Sequence, residues 1–415
     1  MNAYMPQIEN FPKADLAWLR DDAVLRLVEV FDEVGDDLIR FVGGCVRDSL
    51  LGHTLHDIDI ATRLVPDEAM RVLSDAGVKV IPTGLDHGTI TAVIDKRAFE
   101  ITTLRADIET DGRHASVEFT QDWARDARRR DFTINALYLT PGAEIFDDTG
   151  GCEDLAAGVV RFVGDAQHRI REDYLRILRF FRFSARFANE YDDNGLDACA
   201  REREGLSQLS AERIGNELLQ ILSLPNAADV AAKMIEVGVL AELIDHAPDI
   251  AALTGVKATA PNTNGVLALA ALYPSGDASL WHRLVLSNAQ KARAQAALEN
   301  RDILTGCFEG GSCDVRALRA TIYQMGQAEF CDAALLAVGA KVMVNEEYHR
   351  VINLAQDWET PKFPLSGKDI TAAGIDPGPK IGMILKSIER QWIEEDFPQE
   401  SRLQEIQDAA IDQFR

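Results

Sequence analysis

The order of apolar and polar positions divides the chain into a mixed first third and a helical remainder. Residues 22–34 (DAVLRLVEVFDEV) repeat apolar positions at steps of three and four, the period of a helix. A short apolar run at 38–42 reads as a strand; it ends at Gly43-Gly44, and 46–51 reads as a helix start. Residues 56–61 (HDIDIA) alternate polar and apolar, which is the strand period. Residues 66–76 read as a helix, and 79–82, 89–94 and 98–104 as strands, with turn signals at 84–88 and 95–97. Residues 131–138 open a further helix or strand, ending before Pro141-Gly142.

Past Gly150-Gly151 the pattern becomes helical, at 172–189, 210–222 and 227–244, with one short strand expected at 159–163. Residues 256–278, rich in Ala, Asn, Pro and Gly, predict a linker, and 310–313 a second break. A helix at 345–358, a break at 361–364 and a helical end complete the reading, with no internal repeat. The fold class predicted is α+β: a first part with a small mixed sheet over 22–150, then helical segments over 151–225, 226–300 and 301–415.

Chemistry gathers at FVGGCVRDSLLGHTLHDIDIAT, residues 41–62. On a strand, positions i and i+2 share a face, so Asp57 and Asp59 project together while Ile58 and Ile60 turn to a core. Two adjacent carboxylates repel, and a divalent cation relieves the repulsion. Carboxylates are hard oxygen ligands that suit Mg²⁺, above all where phosphate oxygens complete the shell. A bare DxD is more often a solvated strand edge, so its neighbours must raise the odds. The glycine turn stands before a helix start, where backbone N–H groups and the helix dipole meet phosphate. Arg47, one turn in, is placed to reach the same anion. There is no GxGxxG and no following βαβ unit, which leaves a dinucleotide reading weak. A triphosphate held by Gly44, Arg47 and metal-bound Asp57 and Asp59 is the economical reading; a tight turn beside a surface Arg is the plain one.

Size and charge narrow the classes. The 415 residues suffice for two to four domains, and 47% hydrophobic with 27% charged is an ordinary globular balance. No run of 18 or more apolar residues occurs, so no membrane span is expected. The opening residues lack a basic segment followed by an apolar one, so no secretory leader is expected. Six cysteines at scattered positions form no CxxC, which reads as reduced thiols in a cytoplasmic protein. The net charge of −24 argues against nucleic acid as a partner, because phosphate contacts need Lys and Arg. The charge is uneven, however. Residues 161–187 hold seven Arg against three acidic residues, with Arg125 and Arg128 to Arg130 just upstream. A basic seam on an acidic body remains compatible with RNA.

Five segments in order now carry a resemblance: GGCVRDSLLGHTLHDIDIAT, ARRRDFTINALYL (127–139), FDDTGGCEDL (146–155), REDYLRILRFFRF (171–183) and AERIGNEL (211–218). They resemble the motifs of the class II nucleotidyltransferases, the tRNA CCA-adding enzymes and bacterial poly(A) polymerases, and span roughly residues 38–222. Five modest motifs in one order are specific where each alone is not. The resemblance implies a polymerase-beta-like catalytic head over 22–150, a neck that recognises the base over 151–225, a body over 226–300 and a tRNA-anchoring tail over 301–415. It implies template-independent addition of CCA to the tRNA 3′ end from CTP and ATP, with pyrophosphate released, and Asp57 and Asp59 as catalytic Mg²⁺ ligands. Glu100 is a weaker candidate for a third carboxylate; a surface strand Glu is the plainer reading. Arg130 matches the family arginine that contacts the nucleotide, while Arg128 and Arg129 read as plain surface charge.

Asp173 and Arg176, three apart on an expected continuous helix, are neighbours able to pair. Asp accepts and Arg donates. Cytosine and adenine both set an amino donor beside a ring-nitrogen acceptor, whereas uracil and guanine reverse that order. The resemblance makes these two residues a protein template for C and A. It places Arg179 and Arg182 near the nucleotide on the same flank, with Arg186 solvated or facing RNA. Leu175, Leu178, Phe180, Phe181 and Phe183 read as core. The polar stretch RADIETDGR (105–113) matches the flexible loop linked to the switch from CTP to ATP. SGKDITAAGIDPGPKIGMIL (366–385) resembles the tail of CCA-adding enzymes, where its turns face tRNA phosphates, with a plain helix connection as the alternative. No HD dyad with partner histidines is present, so no attached phosphohydrolase is expected, and no obligate protein partner is inferred. Other readings stay open: poly(A) polymerase, a CC- or A-only enzyme, a non-catalytic RNA-binding relative, and a small-molecule nucleotidyltransferase.

Overall fold

The computed structural model describes residues 8–55, 57–107, 117–276, 278–308 and 313–414. The first elements follow the sequence pattern. Helix α1 (Asp22–Asp32) is capped by Asp21, whose carboxylate accepts the Ala23 N–H at 3.0 Å. Strand β1 (Ile39–Val42), helix α2 (Gly44–Leu51), strand β2 (Asp59–Thr62) and helix α3 (Pro66–Asp75) lead into β3 (Lys79–Gly84), β4 (Thr89–Ile94) and β5 (Arg97–Thr103). A ribbon of β6 (Arg105–Asp107) and β7 (Val117–Phe119) precedes α4 (Trp123–Arg128), β8 (Tyr138–Leu139) and β9 (Ile145–Phe146). The expected loop at 105–113 therefore begins as a strand; its residues 108–113 lie outside the described residues. Residues 131–138, left between helix and strand, form one 3-10 turn at Thr133–Asn135 and then enter β8.

The main sheet runs β3-β4-β5-β2-β1-β8-β9. Every adjacent pair is antiparallel except β2 and β5, whose parallel register sets Asp59 beside Glu100 and Ile60 beside Ile101. The strand read at 56–61 starts later than expected. Its pairing with β5 reaches back only to Asp59, and that with β1 only to Ile60, so Asp57 precedes the ladder. His56 lies outside the described residues. The facing holds all the same: Ile58 and Ile60 are buried at 3% and 1% exposure, on the order of 1.5–3 kcal/mol each.

Helices α5 (Gly151–Ala157), α6 (Ala166–Glu172), α7 (Leu175–Phe187) and α8 (Asp193–Glu202) follow. The strand expected at 159–163 is one isolated bridge, Phe132 to Phe162, flanked by Thr133 N–H to Arg161 carbonyl and Val163 N–H to Asp131 carbonyl bonds. The helix expected over 172–189 is broken. Asp173 is extended, with φ −156°, and the chain restarts as α7 two residues later. Phe180 and Phe183 of α7 pack on Phe132 and Phe162, with ring centroids 5.3–6.3 Å apart, which fixes α7 against the segment after Asp131. The described residues up to Leu209, with Met234–Leu243, form one compact unit; Ser210–Lys233 and Ile244 onward form a second.

The remaining elements are helical: α9 (Ala211–Ser223), α10 (Ala227–Glu236), α11 (Val239–Leu243), α12 (Ile250–Thr259), α13 (Gly265–Leu272), α14 (Ala278–Arg283), α15 (Asn288–Phe308), α16 (Val315–Met325), α17 (Gln327–Gly339), α18 (Asn345–Asp357), α19 (Gly367–Ala372), α20 (Pro379–Glu394) and α21 (Glu400–Phe414). The expected helix at 227–244 is two helices, parted at Gly238 with φ +78°. The linker expected at 256–278 is corrected outright. Alanine and leucine there build α13, every residue of which is buried, and Asn264 caps it by accepting the Val266 and Leu267 N–H groups. A helix apolar on all sides is a core helix. Gly265 is needed because a Cβ there would stand 2.2 Å from the Leu219 carbonyl oxygen of α9. Of the break at 310–313, only Cys313 lies within the described residues. No helix among the described residues is long and apolar enough to cross a membrane.

Lys257 of α12 is buried, and its ammonium donates to the Thr263 carbonyl at 2.9 Å and the Pro261 carbonyl at 3.3 Å, closing the turn into α13. Burial lowers its pKa to about 8. Between that value and the ordinary 10.5 the unfolded chain holds more proton than the folded one, so stability rises with pH there. Urea unfolding of this unit is expected to become harder by about 1–2 kcal/mol from pH 7.5 to 9.5. In Lys257→Met that gain should vanish; an unchanged slope would remove Lys257 as its cause.

Candidate active site

The sheet brings the chemical groups to one place. Gly43, between β1 and α2, has φ +72° and ψ −123°, a conformation that favours glycine. Its N–H donates to the Leu137 carbonyl, and as N-cap of α2 it has no side chain to accept the first N–H groups of the helix. Those donors and the dipole make an anion site. Gly44 is not forced by its φ, and a Cβ there would meet only Arg47 Nη2, at 3.7 Å. Beneath the turn, Cys45 Sγ lies 3.3 Å from the Val42 carbonyl oxygen and 3.6 Å from that of Asp59, tying α2 to β2. Burial pushes this thiol up to about 12, so it stays neutral.

Asp59 stands at the head of β2, half-buried, beside an exposed Glu100, with Asp57 exposed two residues earlier. Burial, then the charge of Glu100, raises the Asp59 pKa; Arg130 opposes the rise and Asp57 adds to it. This is an anionic cluster whose charge is only partly compensated, and it suits a hard divalent cation. Among the described residues no three His, Cys, Asp or Glu side chains converge closely enough to hold an ion unaided. Magnesium sites commonly use one or two carboxylates and take their other ligands from phosphate and water.

Arg130 faces the glycine turn: a Cβ on Gly43 would lie 3.5 Å from its Nη1. Burial alone would lower its pKa, but Tyr138 and Asp126 outweigh this and hold the guanidinium charged. Arg129, read from sequence as surface charge, is not: its side chain is 14% exposed and bridges Asp126 at 2.7 Å. Arg128 is exposed and pairs with Asp148.

A second chain of contacts links the next positions. Arg179 of α7 binds the Asp131 carboxylate through Nε at 2.7 Å. Asp131 also accepts from Asn135 Nδ2 at 3.2 Å, and Asn135 Oδ1 accepts from Arg47 Nη1 at 2.5 Å. Burial would raise Asp131, but Arg179 holds it low and ionised. Arg47 is 4% exposed, paired with Asp48 and set over Phe187 at 4.1 Å. Its Nη2 stays beside the turn, 3.7 Å from where a Gly44 Cβ would lie. Arg182 lies over Phe183 at 4.5 Å and Arg186 over Phe187 at 5.0 Å, while Leu175, Leu178, Phe180, Phe181 and Phe183 are core as expected.

Asp173 and Arg176 do not lie on one helix. Asp173 is the break, and its Oδ1 accepts the Leu175 N–H at 3.1 Å, starting α7 as a cap would. The Arg176 guanidinium pairs with Glu172, and donates to the Arg169 carbonyl at 2.7 Å and the Arg129 carbonyl at 3.3 Å. An uninterrupted helix would have faced the two side chains on each other; the break gives each its own partners. Tyr174 explains the kink's surroundings: Gly205 has no Cβ because one would fall 1.9 Å from the Tyr174 ring. Sequence reasoning missed Asp126, Asp131, Asn135, Tyr138 and Glu172. All five lie inside or beside the quoted motifs, so the motif spacing was the available signal.

The geometry has known counterparts. Residues 39–161 match the family described as "Poly A polymerase head domain", and residues 192–253 "Probable RNA and SrmB- binding site of polymerase A". The chain is 36% identical over 377 residues, 88% of its length and 85% of the relative's, to "CCA tRNA nucleotidyltransferase 1, mitochondrial" of Mus musculus. It is 30% identical to the "CCA-adding enzyme" of Lactobacillus delbrueckii subsp. bulgaricus over 87% of this chain and 90% of that one. Its fold superposes on the Bacillus stearothermophilus CCA-adding enzyme in complex with CTP with a TM-score of 0.71 at 25% identity, covering 90% and 93% of the two chains. A glycine turn, paired aspartates, an RRD segment and a broken arginine helix thus stand on a shared scaffold, and the chain belongs to the tRNA nucleotidyltransferase family of CCA-adding enzymes.

Proposed function

We propose that this protein adds CCA to the 3′ end of tRNA without a nucleic-acid template, using CTP and ATP. The observation that carries this is the extent of the likeness to the mouse CCA tRNA nucleotidyltransferase, which spans 88% of the chain and so includes the helical part as well as the head. A small-molecule nucleotidyltransferase needs the head alone. The family implies dependence on a divalent cation, and the carboxylates of Asp57 and Asp59, completed by phosphate and water, suit Mg²⁺ as that ion. When bound, it polarises the phosphoryl oxygens and offsets the charge that develops on them.

The chain's own residues then have distinct work. Asp57 and Asp59 would hold the ion, with phosphate and water completing its shell. The N–H groups around Gly44 and the charges of Arg47 and Arg130 bind and orient the triphosphate. Arg179 and Arg182 line its approach, and Asp173 and Arg176 read the base. The tRNA 3′ hydroxyl oxygen attacks the α-phosphorus as its proton passes to water, the bond from the α-phosphorus to the bridging oxygen breaks, and pyrophosphate leaves with that oxygen. The segments 22–150, 151–225, 226–300 and 301–415 serve as head, neck, body and tail, the last anchoring tRNA. Six free cysteines agree with a reducing, cytoplasmic setting.

Purified protein with Mg²⁺ and a tRNA ending before CCA, given CTP and ATP apart and together, is expected to add C, C and A and stop. Sequencing the 3′ ends checks it. A long A tail would replace the reading with poly(A) polymerase, CC alone with a divided pathway, and no extension with a non-catalytic RNA-binding relative.

A further inference from the structure

Asp126 has no place in the chemistry described so far, yet it is 1% exposed and carries a charge. It lies on α4, four residues before Arg130. Its Oδ1 accepts the backbone N–H of Arg105 at 3.0 Å and Arg129 Nε at 2.8 Å. Its Oδ2 accepts the Tyr138 hydroxyl at 2.5 Å and Arg130 Nη2 at 3.3 Å. Tyr138 in turn accepts from Arg130 Nε at 3.2 Å, so Arg130 is gripped on two of its nitrogens from one side. Its third, Nη1, is the atom that approaches Gly43. A carboxylate taking four donors in the interior is fully satisfied and stays ionised: burial would raise it, and Arg130 and Arg129 hold it low.

Two features make this more than a structural ion pair. The carboxylate joins parts far apart in sequence: the first residue of the β6–β7 ribbon, the RRD segment and β8. And the residue it restrains is the one whose Nη1 stands at the glycine turn, 3.5 Å from where a Gly43 Cβ would lie. We infer that Asp126 is a positioning residue for nucleotide binding, holding Arg130 against the glycine turn and tying that grip to the root of the β6–β7 ribbon. It touches no reacting atom. A guanidinium fixed before the nucleotide arrives loses little freedom on binding, which is where such a residue acts. The inference rests on Arg130 being a nucleotide ligand, as proposed above.

The test is a double-mutant cycle with CTP and ATP as varied substrates on tRNA lacking CCA, using the full chain. Asp126→Asn is expected to raise KM for both nucleotides about tenfold while kcat changes less than threefold. Tyr138→Phe, which keeps the ring and removes one donor, should shift KM the same way by a smaller factor, and serves if Asp126→Asn fails to fold. In an Arg130→Ala background either change should add nothing further to KM, because its route of action is gone. Factors that multiply in the double variants would overturn the inference and leave a generic packing role. If Arg130→Ala itself leaves KM unchanged, the nucleotide assignment of Arg130 falls instead, and the positioning role with it. The two failures are therefore distinct.

Discussion

Replacing Asp59 by alanine is expected to abolish nucleotide incorporation, lowering kcat on the order of 10³-fold or more, without lowering the protein's thermal midpoint. The first half follows from position. Asp59 begins β2, faces Glu100 across the one parallel pairing in the sheet, and lies two residues from Asp57. Losing one charged group that stabilises a transferring phosphoryl group costs about as much as losing an oxyanion donor, roughly 10²–10³, and metal ligation adds to that. The second half follows from electrostatics. Burial and the neighbouring carboxylates raise the Asp59 pKa, so its ionised form is held in the fold at a cost. Removing it relieves that cost. Asp57→Ala, at an exposed site before the ladder, should likewise lose activity with an unchanged midpoint. A measured midpoint and a 3′-end extension assay on the same preparations decide the matter. Activity within tenfold of the parent in Asp59→Ala would remove Asp59 from the metal set.

The legible parts of this molecule were those where one local pattern decides the structure. The period-2 alternation at Ile58 and Ile60 gave the correct facing, because a strand with one buried side cannot slip by a residue. Gly43 marked a turn because its φ of +72° favours glycine. The reading went wrong where distant partners decide. The start of β2 depends on how far β1 and β5 extend, which local sequence does not encode. The region 256–278 has a linker's composition, yet α13 is wholly buried, because neighbouring helices accept its apolar surface on every side. Arg129 looked like surface charge because Asp126, its partner, draws importance from burial and from strands far off in sequence. The same holds at Asp173 and Arg176: their i, i+3 spacing fits a helix, and the extended Asp173 with its cap on the Leu175 N–H shows that the helix stops there.

That break sharpens the second expected result. Arg176→Ala should lower kcat/KM for CTP and for ATP together, each on the order of 10²-fold or more, with the fold intact. The guanidinium has five donors. Among the described residues, Glu172, the Arg169 carbonyl and the Arg129 carbonyl engage Nη1 twice and Nη2 once, which leaves Nε–H and one Nη2 hydrogen for a ligand. A side chain held at three points presents those two hydrogens in a fixed direction. Cytosine and adenine share the ring-nitrogen acceptor that such a donor meets, which is why one substitution should injure both. Uracil and guanine present N–H there and leave two donors opposed, a mismatch that costs far more than a missing methyl group. Selectivity should therefore fall along with rate: the alanine variant, having no donor to oppose, is expected to close the gap between CTP and UTP. Stability should hold, since the carbonyls of Arg129 and Arg169 become reachable by water once the side chain is gone. Steady-state kinetics with all four nucleotides reads both effects at once. Loss confined to CTP or to ATP would mean that the two bases are not read by a shared group, and the template would have to be sought in different residues for each.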